Sequence, residues 1–123
     1  MYDEVLIERN LHPVNFCEKC DGKRLFNSSC GDELFVDLEI SDEGVILDGK
    51  FSGRGCAISL VSADLMIDFL RGKTIEEARK LREEFNKMVV GEKHEDLGGM
   101  ECLGCVARMP ARVNCAKLPW KLF

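Results

Sequence analysis

Proline (three residues), histidine (two), tryptophan (one) and tyrosine (one) are all scarce in this 123-residue chain. With His12 and His94 as the only histidines, a Cys–His nucleophile pair has almost nothing to be built from. No apolar run approaches the roughly 20 residues that span a bilayer, so no membrane segment is expected. Positive charge is also short: 17 Lys and Arg stand against 22 Asp and Glu, a net charge of −5. That balance argues against a nucleic-acid partner, which calls for a basic footprint. The opening Met1-Tyr2-Asp3-Glu4 has no hydrophobic signal core, and a cytoplasmic location is expected. Internal repeats and low-complexity tracts are missing as well.

The sequence does have the makings of a core. Hydrophobic residues are 46% and charged residues 32%, the balance of a globular domain. One domain over residues 1–123 is expected, burying roughly two-thirds of its unfolded surface without need of disulfides. The unusual abundance is cysteine, with seven residues. An odd number without a secretion signal does not read as a disulfide framework. In a reducing compartment, cysteines serve metal binding or thiol chemistry, or are small buried hydrophobes. Burial is a poor account of seven, most of them beside glycines and charges.

Along the chain, Tyr2 to Asn10 reads as a short helix with one docking face, and His12 to Asn27 as irregular. Leu34, Val36, Leu38 and Ile40 alternate with Phe35, Asp37 and Glu39, the period of a half-buried strand. After a turn at Ser41-Asp42-Glu43-Gly44, Val45, Leu47 and Phe51 predict a second strand. A third strand or a helix entry is expected at Cys56 to Ser59. Leu60 to Leu70 predicts a helix ending at Gly72. Thr74 and Glu77 form a capping-box pattern for the next helix, with Ile75, Ala78, Leu81, Phe85, Met88 and Val89 as its apolar face. Gly91 to Gly99 reads as a polar connection, with His94 solvated in it. A last helical region runs from Met100 to Leu122, interrupted near Pro110. Strands first and helices after them predict an α+β domain.

Three cysteines stand in suggestive surroundings. Cys30-Gly31-Asp32 opens the first clear strand, where residues two apart point to the same side and a thiolate and a carboxylate can converge. Cys56 follows Gly53 and Gly55, where free amide N–H groups can approach a sulfur. Cys115 falls on the last helical stretch. Three thiolates and a carboxylate suit tetrahedral Zn²⁺, and soft sulfur ligands would equally accept an iron–sulfur cluster. Simple burial explains any one of these cysteines taken alone.

The segments "NSSCGDELFVDLEI", "GKFSGRGCAIS" and "MPARVNCAKLPW" resemble the three cysteine blocks of the IscU/SufU iron–sulfur cluster assembly scaffold family, the NifU N-terminal-like proteins. "VLIERNLHPVN" resembles that family's N-terminal helix and following turn. The resemblance covers nearly the whole chain. It implies a three-stranded antiparallel sheet with helices packed on one face. It also implies metal or cluster binding by Cys30, Asp32, Cys56 and Cys115, and a cysteine desulfurase partner that delivers persulfide sulfur. IscU-type members carry a His directly before the third cysteine, where this chain has Asn114. Their Leu-Pro-Pro-Val-Lys motif is replaced by Met109-Pro110-Ala111-Arg112, and the gap from Cys56 to Cys115 is longer. These features are similar to the SufU branch, which implies tightly bound zinc and sulfur acceptance from a desulfurase, with Cys30 as the acceptor. The alternative is a scaffold that builds a transient iron–sulfur cluster and passes it to a downstream carrier or apo-protein. A third reading is a non-catalytic, zinc-stabilised interaction module.

Zinc with this ligand set carries a formal charge of −2, which Arg54 and Arg112 are placed in sequence to offset; two solvated arginines are the plain alternative. Cys17-x-x-Cys20 and Cys102-x-x-Cys105 depart from the family pattern. Each has the spacing of half a four-cysteine site. Together they predict a second metal site; separate thiol pairs, or a redox disulfide within either, are the alternatives.

Overall fold

The structure, a computed structural model, describes residues 4–28 and 30–123. Met1 to Asp3, including the expected helical position Tyr2, lie outside them, as does Ser29. Helix α1 (Glu4–Leu11) is followed by an irregular segment, then by strands β1 (Lys23–Asn27), β2 (Asp32–Ile40) and β3 (Ile46–Arg54). Helices α2 (Ala57–Leu70) and α3 (Ile75–Val89) come next. The chain ends with a 3-10 segment (Gly98–Arg108), helix α4 (Pro110–Lys117) and a short 3-10 turn (Leu118–Leu122). The architecture is α+β.

The sheet has the order β1-β2-β3 with both pairings antiparallel. Its third strand is β1, within the stretch expected to be irregular. Lys23 to Asn27 holds only two inward residues, Leu25 and Asn27, too few for alternation to be conspicuous. The residues after Cys56 enter α2 instead of a strand. On β2, Asp32, Leu34 and Val36 are buried, facing Phe51 and its neighbours on β3. The opposite sheet face bears Glu33, Phe35, Asp37 and Glu39. A register shift at Glu39/Ile40 turns Ile46 inward and leaves Leu47 half exposed, reversing the facing that the spacing of Val45 and Leu47 predicts.

Helix α2 is the central core element. Ten of its fourteen residues are buried, between the sheet and the helices around it. Helix α3 begins with the expected capping box, Thr74 and Glu77 exchanging hydrogen bonds of 3.1 Å. The residues of its predicted apolar face are buried or half-buried against the core. Trp120 is buried and stacks on Phe85 at 5.1 Å, closing the C-terminal end of the core.

A polar clamp ties the N-terminal segment to α2. Buried Asp64 accepts hydrogen bonds from Arg9, from the Val14 and Asn15 backbone N–H groups, and from the Asn15 amide. One turn later Asp68 pairs with Arg9 and with Arg71. The clamp fixes the course of α1 and of the segment that pairs with β3 at Phe16 and Phe51.

Candidate metal centre

The site forms where the β1–β2 hairpin meets the start of α2 and the middle of α4. Asn27 and Asp32 are cross-strand partners at the end of the hairpin, and both are buried. Cys30 lies in the connecting turn and is exposed. Gly31 has φ +74°, a left-handed conformation that side-chain-bearing residues seldom adopt. Its N–H closes the turn on the Asn27 carbonyl at 2.8 Å. Cys30 and Asp32 therefore converge through a glycine turn, not through the simple alternation of an extended strand.

One ligand atom each from Cys30, Asp32 and Cys115 lie within 4.8 Å of one another. The Cys115 and Cys30 sulfurs are 3.4 Å apart. Cys115 is fully buried on α4, with the Asn27 amide nitrogen 3.8 Å from its sulfur. Cys56 borders the trio from the N-cap position of α2, its sulfur 4.0 Å from the Ser59 hydroxyl. Its backbone N–H donates to Asp32 Oδ1 at 3.0 Å, so the amide expected to face a sulfur instead orients the carboxylate. Gly55 makes that approach possible. A Cβ there would sit 2.8 Å from Asp32 Oδ1 and 2.3 Å from Ser59 Oγ.

The electrostatics ask for a cation. Burial, reinforced by hydrogen bonding with Asp32, Cys30 and Cys56, pushes the Cys115 thiol far above its ordinary 9.0. Asp32 Oδ2 is buried with no hydrogen-bond partner among the described residues. Leaving such an oxygen unpaired is costly, and a bound cation would satisfy it. An orphaned carboxylate oxygen among thiols is a donor set that fits zinc.

The remaining predicted residues separate clearly. Arg54 is paired in register with Glu33, on the strand face opposite Asp32, and is exposed, so a direct contact with the trio is not formed. Arg112 is half-buried one helical turn before Cys115 on α4, next to Ala111, whose carbonyl is 3.9 Å from the Cys30 sulfur. The second metal site expected from Cys17, Cys20, Cys102 and Cys105 has no counterpart among the described groups close enough to hold a metal. Among the described residues, Cys30, Asp32 and Cys115 are the sole group of three or more close enough to share a metal. Cys17 and Cys20 are pinned beside β3, by the Cys17 N–H on the Phe51 carbonyl and the Cys20 thiol on the Lys50 carbonyl. Cys102 and Cys105 belong to the 3-10 segment, which packs on α2, α3 and α4. His94 is no freely solvated residue either, since its Nδ1 is 2.7 Å from the Glu95 carbonyl and 3.5 Å from Glu101. Asn27 and Ser59, and the contact of Gly55 with Asp32, escaped the sequence reading. Their roles are close contacts across elements, and only the glycine spacing before Cys56 hinted at them.

A three-stranded antiparallel sheet with two thiols and a carboxylate gathered at one end defines an α+β domain able to hold a metal ion. The chain belongs to the NifU-like N terminal domain family, which it matches over residues 1–114. It is 39% identical to the zinc-dependent sulfurtransferase SufU of Bacillus subtilis, the match covering 98% of this chain and 85% of that protein. It is 42% identical to the iron–sulfur cluster assembly scaffold protein IscU of Thermotoga maritima, covering 98% of this chain and 88% of the relative. Among solved structures it resembles a protein from Fervidobacterium islandicum described as a putative iron–sulfur cluster assembly scaffold for the SUF system. That likeness has a TM-score of 0.84 and 33% identity, over 98% of this chain and 91% of the other. An N-terminal NifU-like protein of Brucella abortus has the same fold, with a TM-score of 0.83 and 19% identity over 97% of this chain and 86% of the other.

Proposed function

We propose that the protein is a zinc-binding acceptor of persulfide sulfur in iron–sulfur cluster assembly, taking that sulfur from a cysteine desulfurase in the cytoplasm. The observation that carries this reading is the asymmetry of the trio: Cys115 and Asp32 are buried, whereas Cys30 is exposed in a glycine turn beside them. Cys30, Asp32, Cys56 and Cys115 are the residues that would hold the ion. Zinc, when bound, supplies positive charge that keeps thiolates deprotonated without redox chemistry. Asp32 and Cys115 form the fixed wall of the site. Asp32 is held by the Cys56 N–H, and Cys115 by its helix and the Asn27 amide.

Cys30 is the mobile member. The Gly31 turn lets its thiolate swing out with little backbone cost. In the transfer, that thiolate attacks the outer sulfur of the desulfurase persulfide. The new Cys30 S–S bond forms as the old one breaks, the desulfurase cysteine leaves as thiolate, and the proton stays on the transferred sulfur. Arg112, one turn from Cys115, offers positive charge to the desulfurase thiolate as it leaves. The sulfur then passes to a downstream cluster carrier or apo-protein. The replacement of the family's histidine by Asn114 supports this reading over assembly of a cluster on the site itself. The test is desulfurase turnover with zinc-loaded protein, followed by mass spectrometry. Turnover should rise, Cys30→Ser should abolish the rise, and the extra sulfur should sit on Cys30. Undiminished stimulation by Cys30→Ser, or sulfur found on Cys17, Cys20, Cys102 or Cys105, would refute the assignment.

A further inference from the structure

The Cys102-x-x-Cys105 pair has a structural logic of its own. The segment Gly98–Arg108 is a run of 3-10 turns. At three residues per turn, positions three apart lie directly above one another. The buried residues obey that period: Met100, Leu103 and Val106 form one stripe against the core. Cys102 and Cys105 form a second stripe, continued by Arg108. Both cysteines are half-buried, and Arg108 is exposed. Three residues at a rise of about 2.0 Å put the two Cα atoms about 6 Å apart. Disulfides span Cα separations of roughly 4.4–6.8 Å. In an extended strand the same spacing would leave the two Cα atoms about 10 Å apart, with the thiols on opposite faces. The other pair lacks this arrangement. Cys17 and Cys20 lie in an irregular loop, and Cys20 is only 7% exposed, with its thiol on the Lys50 carbonyl.

We propose that Cys102 and Cys105 are a reversible dithiol–disulfide site that exchanges with low-molecular-weight disulfides. One thiolate attacks the small disulfide, forming a mixed disulfide and releasing one small thiol. The second thiolate displaces the other small thiol and closes the Cys102–Cys105 bond. The pair loses two electrons and two protons, and the small disulfide is reduced to two thiols. The bond lies along the outer stripe, and Met100, Leu103 and Val106 lie on the buried one. Arg108, in line with the pair, offers positive charge to an anionic disulfide of the glutathione kind. The site needs neither the metal centre nor the sulfur-transfer reading.

The experiment is exposure of the full-length protein to oxidised glutathione, then alkylation, trypsin digestion and mass spectrometry. Residues 94–108 fall in one tryptic peptide that contains both thiols and no others. The expected result is a peptide lighter by two hydrogens with neither cysteine alkylated, restored to two alkylations by dithiothreitol. Cys105→Ser should instead trap one glutathione on Cys102. Should that variant fail to fold, wild-type protein supplies the second arm: phenylarsine oxide, which bridges paired thiols, should protect both cysteines of the 94–108 peptide from alkylation. Two separate glutathione adducts, full alkylation after treatment, or a bond from either cysteine to Cys17 or Cys20 would overturn the proposal.

Discussion

Asp32 holds two roles on one carboxylate. Oδ1 accepts the Cys56 N–H, while Oδ2 is turned into the site without a described partner. Gly55 is the residue that makes this orientation possible, because any side chain there would collide with Asp32 Oδ1 and Ser59 Oγ. Gly55→Ala is therefore expected to displace the carboxylate and loosen Cys56, at a cost of about 1–3 kcal/mol in stability from overpacking and a lost hydrogen bond. It should also weaken zinc retention against a chromophoric chelator. Asp32→Ala should speed zinc exchange in the same assay while far-UV circular dichroism stays as in wild type. Exchange unchanged in both variants would remove Asp32 from the ligand set. At this scale the sequence was informative about identities and silent about contacts. The cysteine blocks name Cys30, Asp32, Cys56 and Cys115, but nothing in them reveals that the Cys56 amide serves Asp32, or that Asn27 reaches Cys115.

Among the elements, the N-terminal helix depends on the clamp around Asp64 and Asp68. Asp64 is fully buried and satisfies four donors, so Asp64→Ala strands two backbone N–H groups and leaves Arg9 with Asp68 alone. With Arg9 itself about a quarter exposed, the expected loss is about 2–4 kcal/mol. It should be read as a lower urea midpoint with an unchanged slope. The clamp also makes stability depend on acid. Burial pushes the Asp68 carboxyl upward, but hydrogen bonds from Asn15, Arg9 and Arg71 together outweigh it and hold the carboxyl below its ordinary 3.8. A depressed carboxyl contributes stability that is complete above the unfolded value and is lost as pH falls through the folded one. The stability gap between wild type and Asp68→Asn should thus be constant above that range and shrink below pH 3.8. A gap independent of pH down to acid unfolding would contradict the ion-pair assignment. Long elements were legible in sequence: α3 through its capping box, β2 through its alternation, α2 through its apolar run. Strand β1 was not, because five residues with two inward side chains carry too little pattern. The two Cys-x-x-Cys pairs show a related limit of spacing. Spacing records what is close along the chain, whereas a shared metal requires the β3 edge and the 3-10 segment to bring their thiols together, and among the described residues these cysteines form no such group.

For the whole molecule, the α+β frame brings three distant stretches of sequence to one end: the hairpin turn at Cys30, the entry to α2 at Cys56, and α4 at Cys115. No single stretch makes the site, which is why the family pattern announced it and local spacing did not. The frame also keeps Cys115 buried while Cys30 remains exposed, and the sulfur-acceptor reading rests on that difference. The most direct test is metal and sulfide analysis of protein purified without oxygen, beside Cys30→Ser, Cys56→Ser and Cys115→Ser. The account predicts a colourless protein with one zinc per chain and no acid-labile sulfide, and sharply lower zinc in each variant. A brown protein with iron and acid-labile sulfide, or zinc retained in full by all three variants, would contradict it.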